Sequence, residues 1–501
     1  MVGIGQDDRS ADPLDVFGTQ KLDRSPRSNR HEDRGDHLVS EYVQDPEAGF
    51  AVGVLMDQFI TERLSVTHIL DDNDEEIGNY ERNRVEYTKE MNDSGYTILC
   101  PQMAPIHFEI LEEAVKSCGY NFVVLKECTV RTVEIGLKYV NNDACYPSIL
   151  TTGQLIEALQ SGKYDLNKTA VIMSQTGGGC RATNYIGFIR KAMKDAGFSS
   201  IPVVSFNVVG MEKMTGFKIT PKLIGRLAKA VIYGDLLQKL AAKNRAYEVN
   251  KGDTQVVYDK WMAKCKHLVK GTTFKEFKKT LYEMVDDFEE IKVDMSKPKP
   301  KVGIVGEVLI KYQPFGNNFV GQKLEDAGCE VIYPEFMGFI KFIATHKITF
   351  NQLIKTNSKS AKIFKVVIKL IELIEKDIKT ALLTSSKEYL LPANIFELEK
   401  NVQDILSIGN QTGEGWFLTA EMVEYIEHGI TNIVCVQPFA CLPNHVVGKG
   451  VIKTIRDKYP MANISPIDYD PGASEANQTN RLKLLIAVAK DNLKNEQEDN
   501  K

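Results

Sequence analysis

No two of the nine cysteines stand at the spacing of a CxxC pair. That absence excludes zinc ribbons, thioredoxin-like redox motifs and the closely spaced cysteine runs of small ferredoxins, so a metal site must draw its ligands from distant segments. A long apolar run is also missing. The most apolar helical stretch, 363–378, is broken by Lys365, Lys369, Glu372 and Glu375, whereas a membrane span needs about 20 uninterrupted apolar residues. It reads as an amphipathic packing helix, and no membrane partner is expected. Neither sign of charge dominates: 62 basic and 67 acidic side chains leave a net charge of -5, with no basic face for nucleic acid. The stretch 6–36 is polar and charged and has no apolar core of a secretory signal. These absences together point to the cytoplasm, where thiols stay reduced rather than forming a disulfide framework.

What is present is ample material for a core. With 501 residues, 43% apolar and 26% charged side chains, the chain should divide into two or three domains. Residues 1–90 are rich in Asp, Arg, Ser and His, with only 50–70 apolar enough for local structure, and are expected to be poorly ordered. From 91 the texture becomes βα. Strands are predicted at 97–100, 121–125, 170–174 and 203–206, with helices at 106–117, 154–161 and 184–196, giving a first α/β domain over 91–210. A helical bridge spans 211–296. The charged Pro-rich run Lys297-Pro298-Lys299-Pro300-Lys301 is a linker, because Pro cannot continue a helix. A second α/β domain covers 297–490, with strands at 302–305, 331–333, 405–408 and 433–436, helices at 322–327 and 417–428, and a helical excursion at 339–398. A disordered tail, 491–501, closes the chain. Strands separated by helices imply two doubly wound parallel-sheet domains with helical insertions.

Three cysteine segments carry the chemistry. Ser174-Gln175-Thr176-Gly177-Gly178-Gly179-Cys180-Arg181 lies between a strand end and a helix start, where Gly177, Gly178 and Gly179 let backbone N–H groups approach an anion. It has neither the Gly-Lys-Ser/Thr ending of a Walker A loop nor the spaced glycines of a dinucleotide fingerprint. Cys180 at a helix start is expected to have its thiolate favoured by the helix dipole and by Arg181. Asn141-Asn142-Asp143-Ala144-Cys145-Tyr146-Pro147 is a polar turn. Gln437-Pro438-Phe439-Ala440-Cys441-Leu442-Pro443-Asn444-His445 follows a predicted strand, at the end where open α/β sheets bind ligands. The competing reading of each is bland: a tight turn with a small buried Cys, or an ordinary loop residue. The other six cysteines read as packing or surface residues. Glu414, in the loop 409–416, and His445 are candidate proton carriers. No nucleophile elbow, HExxH or kinase set occurs.

The runs 139–147, 175–188, 408–422 and 437–450 resemble the C-terminal part of the large activator proteins of 2-hydroxyacyl-CoA dehydratases, which is similar to the dehydratase subunits and to double-cubane cluster proteins. The likeness covers about 90–490. It implies that Cys145, Cys180 and Cys441 hold a 4Fe-4S or double-cubane cluster, and that an ATP-driven activator injects an electron used for ketyl-radical dehydration of an acyl-CoA. The sugar-kinase-like ATP-binding domains of that family have no counterpart here, so ATP hydrolysis is expected in a separate activator protein. A homodimer is expected as well.

Other readings stay open at this stage. Within the resemblance, a lyase of the dehydratase type and an iron-sulfur reductase component acting on another small molecule are both compatible with the motifs. A non-enzymatic electron relay docked on an activator is a second class. The third is a cofactor-free α/β protein that binds a phosphorylated ligand at Gly177 to Gly179.

Overall fold

The computed structural model describes residues 69–70, 76–77, 84–141, 143–176, 179–206, 215–353, 359–439 and 441–499. The expectation of poor order in 1–90 falls almost wholly outside them. Two four-stranded, all-parallel sheets carry the fold. The first comprises β1 (Thr97–Pro101), β2 (Asn121–Leu125), β3 (Thr169–Ser174) and β4 (Val203–Phe206), in spatial order β2-β1-β3-β4. The second comprises β5 (Lys301–Gly306), β6 (Glu330–Ile332), β7 (Asn432–Pro438) and β8 (Asn463–Tyr469), in order β8-β7-β5-β6. Counted within its own half, each sheet has the same order. In both, the chain reverses its direction of travel across the sheet between the two central strands, the point where doubly wound folds open a crevice. β5 and β7 are buried almost throughout, as strands covered on both faces must be.

Around the first sheet pack α1 (Pro105–Lys116), α2 (Val130–Tyr139), α3 (Tyr146–Gln160) and α4 (Tyr185–Asp195). α3 is buried on nearly every side, as its all-round apolar and small residues require. Its Ile149 and Leu150 pack with Val302, Ile304 and Val434 of the second sheet, while its Leu155, Ile156 and Leu159 pack with Leu99 and Val171 of the first. One helix thus belongs to both cores. α2 crosses it closely: a methyl group at Gly153 would come within 2.0 Å of the Thr132 carbonyl oxygen.

The bridge is α5 (Pro221–Tyr247), α6 (Asp253–Leu268) and α7 (Phe274–Glu289). Thr220 caps α5 ahead of Pro221 at its first turn, and Thr273 with Glu276 forms a capping box on α7. Asp235 of α5 ties three parts of the molecule together. Its carboxylate lies 2.8 Å from His107 Nε2 of α1 and accepts the amides of Phe336 and Met337 at 2.7 and 2.9 Å.

The second half adds α8 (Val308–Tyr312), α9 (Val320–Asp326), α10 (Phe336–Leu353), α11 (Lys359–Leu383), α12 (Ile395–Val402), α13 (Gly415–Glu427), α14 (Ile452–Lys458) and α15 (Glu475–Asp499). α10 to α12 are the helical excursion. α11 packs by Ala361, Ile368 and Ile378, yet leaves Ile363, Val366, Leu370 and Leu373 exposed, so apolar residues stand on its outer face as well as on its packed one.

Three expectations are corrected. The predicted strand 405–408 is a turn that follows α12, because Ile405 and Leu406 join the core through amide bonds back to the Val402 carbonyl rather than by a ladder. The helix expected to begin at 154 begins at Tyr146, since Pro147 sits in the first turn, where its missing N–H costs nothing. Of the expected disordered tail, 491–499 is helical, the end of α15, whose earlier turns bury Leu482, Leu485 and Ile486 in the second core.

Candidate functional site

The site lies where the carboxyl edges of both sheets come together. Gln102, just past β1, accepts a hydrogen bond at 3.4 Å from Gln313 Nε2, just past α8, which links the two edges directly. Cys145 is the N-cap of α3, fixed by the double packing of that helix. Cys180 follows β3 and caps the short helical turn Arg181–Asn184. Cys441 follows β7 and precedes a π-helical segment, Asn444–Lys449, a local irregularity frequent at functional sites. Arg181 Nη1 donates to the carbonyls of Asp143, at 2.7 Å, and Ala144, and so pins the Cys145 loop to the Cys180 loop. The Cys180 and Cys441 loops meet at Gly413. A methyl there would lie 2.8 Å from Pro443 Cγ and 3.9 Å from Cys180 Sγ, and its φ of +63° already favours glycine.

Two buried carboxyls complete the site. Glu307, directly after β5, caps α8 by accepting the Ile310 amide at 2.8 Å. It stands here because β5 ends in Gly306, at φ +137°, whose added methyl would meet the Val436 carbonyl oxygen at 1.8 Å. Glu414, at the start of α13, accepts the Val308 amide at 2.9 Å and Asn444 Nδ2 at 3.2 Å. The two side chains are 8% and 4% exposed. Burial, then the Glu414 charge, pushes Glu307 up to about 8. Burial likewise raises Glu414.

The three thiols feel these carboxyls and one another. Burial first, then Glu307, pushes Cys145 up to about 12, with Cys180 adding to the effect. Burial and Glu414 push Cys180 up to about 11, outweighing Arg181. This reverses the expectation of a favoured Cys180 thiolate, because desolvation of a buried thiolate costs more than one exposed cation and a short helical turn return. Cys441 is raised by burial, Glu414, Glu307 and Cys145 in turn. Each sulfur also has hydrogen-bond partners. Tyr185 OH lies 3.2 Å from Cys145 Sγ, and Asn444 Nδ2 donates to Cys441 Sγ at 3.2 Å.

Of the residues singled out in the sequence, Cys145, Cys180, Cys441 and Glu414 come together. Gly179 lies beside Cys180, and Gly177 and Gly178 fall outside the described residues. His445 is half-buried. Its backbone amide bonds the Cys441 carbonyl at 2.9 Å, and among the described residues its ring makes no hydrogen bond to a thiol or carboxyl of the site. The partners that sequence reasoning missed are Glu307, Tyr185 and Asn444. Glu307 had a signal, as an acidic residue immediately after an apolar strand ending in Gly.

The donor set suits an iron-sulfur cluster. Three soft thiols on three separate loops can each take a different iron, the Asn444 amide donates to one of the sulfurs, and the Tyr185 hydroxyl stands within hydrogen-bond distance of another. Among the described residues no three Cys, His, Asp or Glu side chains close to the spacing of one bound ion, which a cluster with separate irons does not require. All nine cysteines are free thiols. No protein-family model matches the chain, and no curated protein matches it either. Among the described residues no helix is long and apolar enough to cross a membrane.

Proposed function

We propose that the chain holds an iron-sulfur cluster, 4Fe-4S or double-cubane, through Cys145, Cys180 and Cys441, and serves in ATP-driven, low-potential electron transfer of the 2-hydroxyacyl-CoA dehydratase kind. The observation that carries this reading is the convergence of three thiols from distant segments, Cys441 buried and Cys145 and Cys180 half-buried, at the facing carboxyl edges of two sheets. When bound, the cluster supplies a one-electron donor to a thioester carbonyl. The chain's own residues do the rest. Cys145, Cys180 and Cys441 must each lose a proton to become ligands, since burial keeps them protonated when free. Arg181 and Gly413 hold the three loops in register. Glu414 is placed to hold or release a proton beside the sulfurs, with Glu307 as its neighbour. ATP hydrolysis belongs to a separate activator, and a reducing cytoplasm would keep the free thiols available.

Anaerobic reconstitution followed by iron and acid-labile sulfide analysis tests the proposal, beside a Cys145→Ser/Cys180→Ser/Cys441→Ser variant. About four or more irons per chain, lost in the variant, are expected. Activity with 2-hydroxyacyl-CoA thioesters, an activator and ATP then separates an enzyme from an electron relay. A wild-type chain without iron sinks the reading.

A further inference from the structure

The two side-chain donors at the sulfurs do more than fill space. We propose that Tyr185 and Asn444 set the reduction potential of the cluster by hydrogen bonding to the Cys145 and Cys441 thiolates. The inference rests on the cluster reading above, and it concerns positioning residues rather than ligands.

A sulfur bound to iron as thiolate has only lone pairs to offer. The 3.2 Å contact of Tyr185 OH with Cys145 Sγ, in which either atom can donate while the thiol is free, then has one possible direction: the phenol donates. Tyr185 is 5% exposed, so water does not compete for its proton. Its ring packs against Phe188 on the same helix, with centroids 6.5 Å apart, and α4 starts just past the Cys180 loop.

Asn444 is fully buried. Its Nδ2 carries two hydrogens and has two acceptors at 3.2 Å, Cys441 Sγ and Glu414 Oε2. A Cys441 thiolate fixes which way the amide faces, because an oxygen turned toward it would meet another acceptor. Asn444 therefore connects a ligand to a buried carboxyl through one rigid group. Cys180 has a backbone counterpart, the Ala182 N–H. The backbone amides of Ser148 and Asn444 likewise serve Cys145 and Cys441, so each sulfur keeps a backbone donor, and the two side-chain donors are the ones substitution can remove.

Reduction adds negative charge to the cluster and its sulfurs. A donor at sulfur stabilises the reduced form more than the oxidised one and raises the potential, while Glu307 or Glu414 acts the other way only when ionised. Removing a donor should lower the potential.

The experiment uses the full chain, reconstituted anaerobically, as wild type, Tyr185→Phe, Asn444→Leu and the double variant. Iron and sulfide are counted first, and the loaded proteins are then titrated with Ti(III) citrate while the reduced cluster is followed by electron paramagnetic resonance. Each single variant is expected to keep its iron and to show an oxidised-to-reduced ratio about tenfold higher at a given potential, a shift of about 59 mV for one electron. The double variant should show both shifts. Loaded variants with an unchanged midpoint overturn this inference and leave the cluster reading standing. Loss of iron from Tyr185→Phe, which removes a single oxygen, also overturns it, because the hydroxyl would then be a ligand or a prop. A wild type that takes up no iron overturns the cluster reading itself, and the inference with it.

Discussion

Lys311 Nζ lies 2.9 and 3.0 Å from the two carboxylate oxygens of Glu421, and neither side chain is more than 8% exposed. The pair joins α8, which Glu307 caps, to α13, which Glu414 begins, so it braces the two acidic residues of the site from behind. Removing one partner would strand a charge in the interior. Lys311→Met should cost about 3–5 kcal/mol, whereas Lys311→Met with Glu421→Leu should cost far less. Urea denaturation of the metal-free protein measures both, and a single variant as stable as wild type would disprove the brace.

Gly413→Ala probes the meeting of the Cys180 and Cys441 loops. The added methyl meets Pro443 at 2.8 Å in a backbone conformation with φ +63°. The conformation alone costs about 1–2 kcal/mol, and the displaced Pro443 should carry Cys441 with it. Iron content after reconstitution should fall well below wild type while the circular dichroism spectrum is kept.

The raised Glu307 predicts a direction for pH dependence. Between the ordinary carboxyl value of 4.5 and about 8, the unfolded chain releases a proton that the folded chain retains. Stability contributed by this group is therefore complete below 4.5 and is lost as pH rises toward 8. In metal-free protein, thermal midpoints from pH 5 to 8.5 should decline more steeply for wild type than for Glu307→Gln. Parallel profiles would show that Glu307 titrates normally.

Cluster uptake should run the opposite way. With Cys180 pushed up to about 11 and Cys145 to about 12, only about one thiol in a thousand or fewer is ionised at pH 8, against about a quarter for an ordinary cysteine. Iodoacetamide should label these sites in metal-free protein at least about a hundredfold more slowly than a free thiol. Reconstitution releases their protons, so its yield should climb with pH. Mass-spectrometric mapping of the label and iron assays at several pH values check both halves.

Much of this arrangement could be read from local signals. β2 and β4 fall where alternating helices and short apolar runs place them, and Cys145, Cys180 and Cys441 could be picked out because each stands in a turn beside a helix or strand end. The misses share a cause. Ile405 to Ile408 has the composition of a strand but gains its burial from packing beside α12, and short apolar runs do not distinguish the two. α3 was cut short because Pro147 reads as a breaker unless the helix start is known. Tyr185 and Asn444 became visible only in three dimensions, since a hydrogen bond between Tyr185 and a sulfur forty residues earlier leaves no periodic trace. The partnership of Glu307 with Glu414 likewise depends on how α8 meets α13.

Cys145 and Cys180 come from the first half of the chain, and Cys441 follows the last strand but one of the second sheet. During synthesis the first two thiols leave the ribosome, and their sheet can fold, long before the third exists. A nascent or truncated chain would therefore present an incomplete set of these thiols. On the proposed reading, metal delivery would be a late event in the life of the polypeptide, and a filled site would report that translation had passed β7.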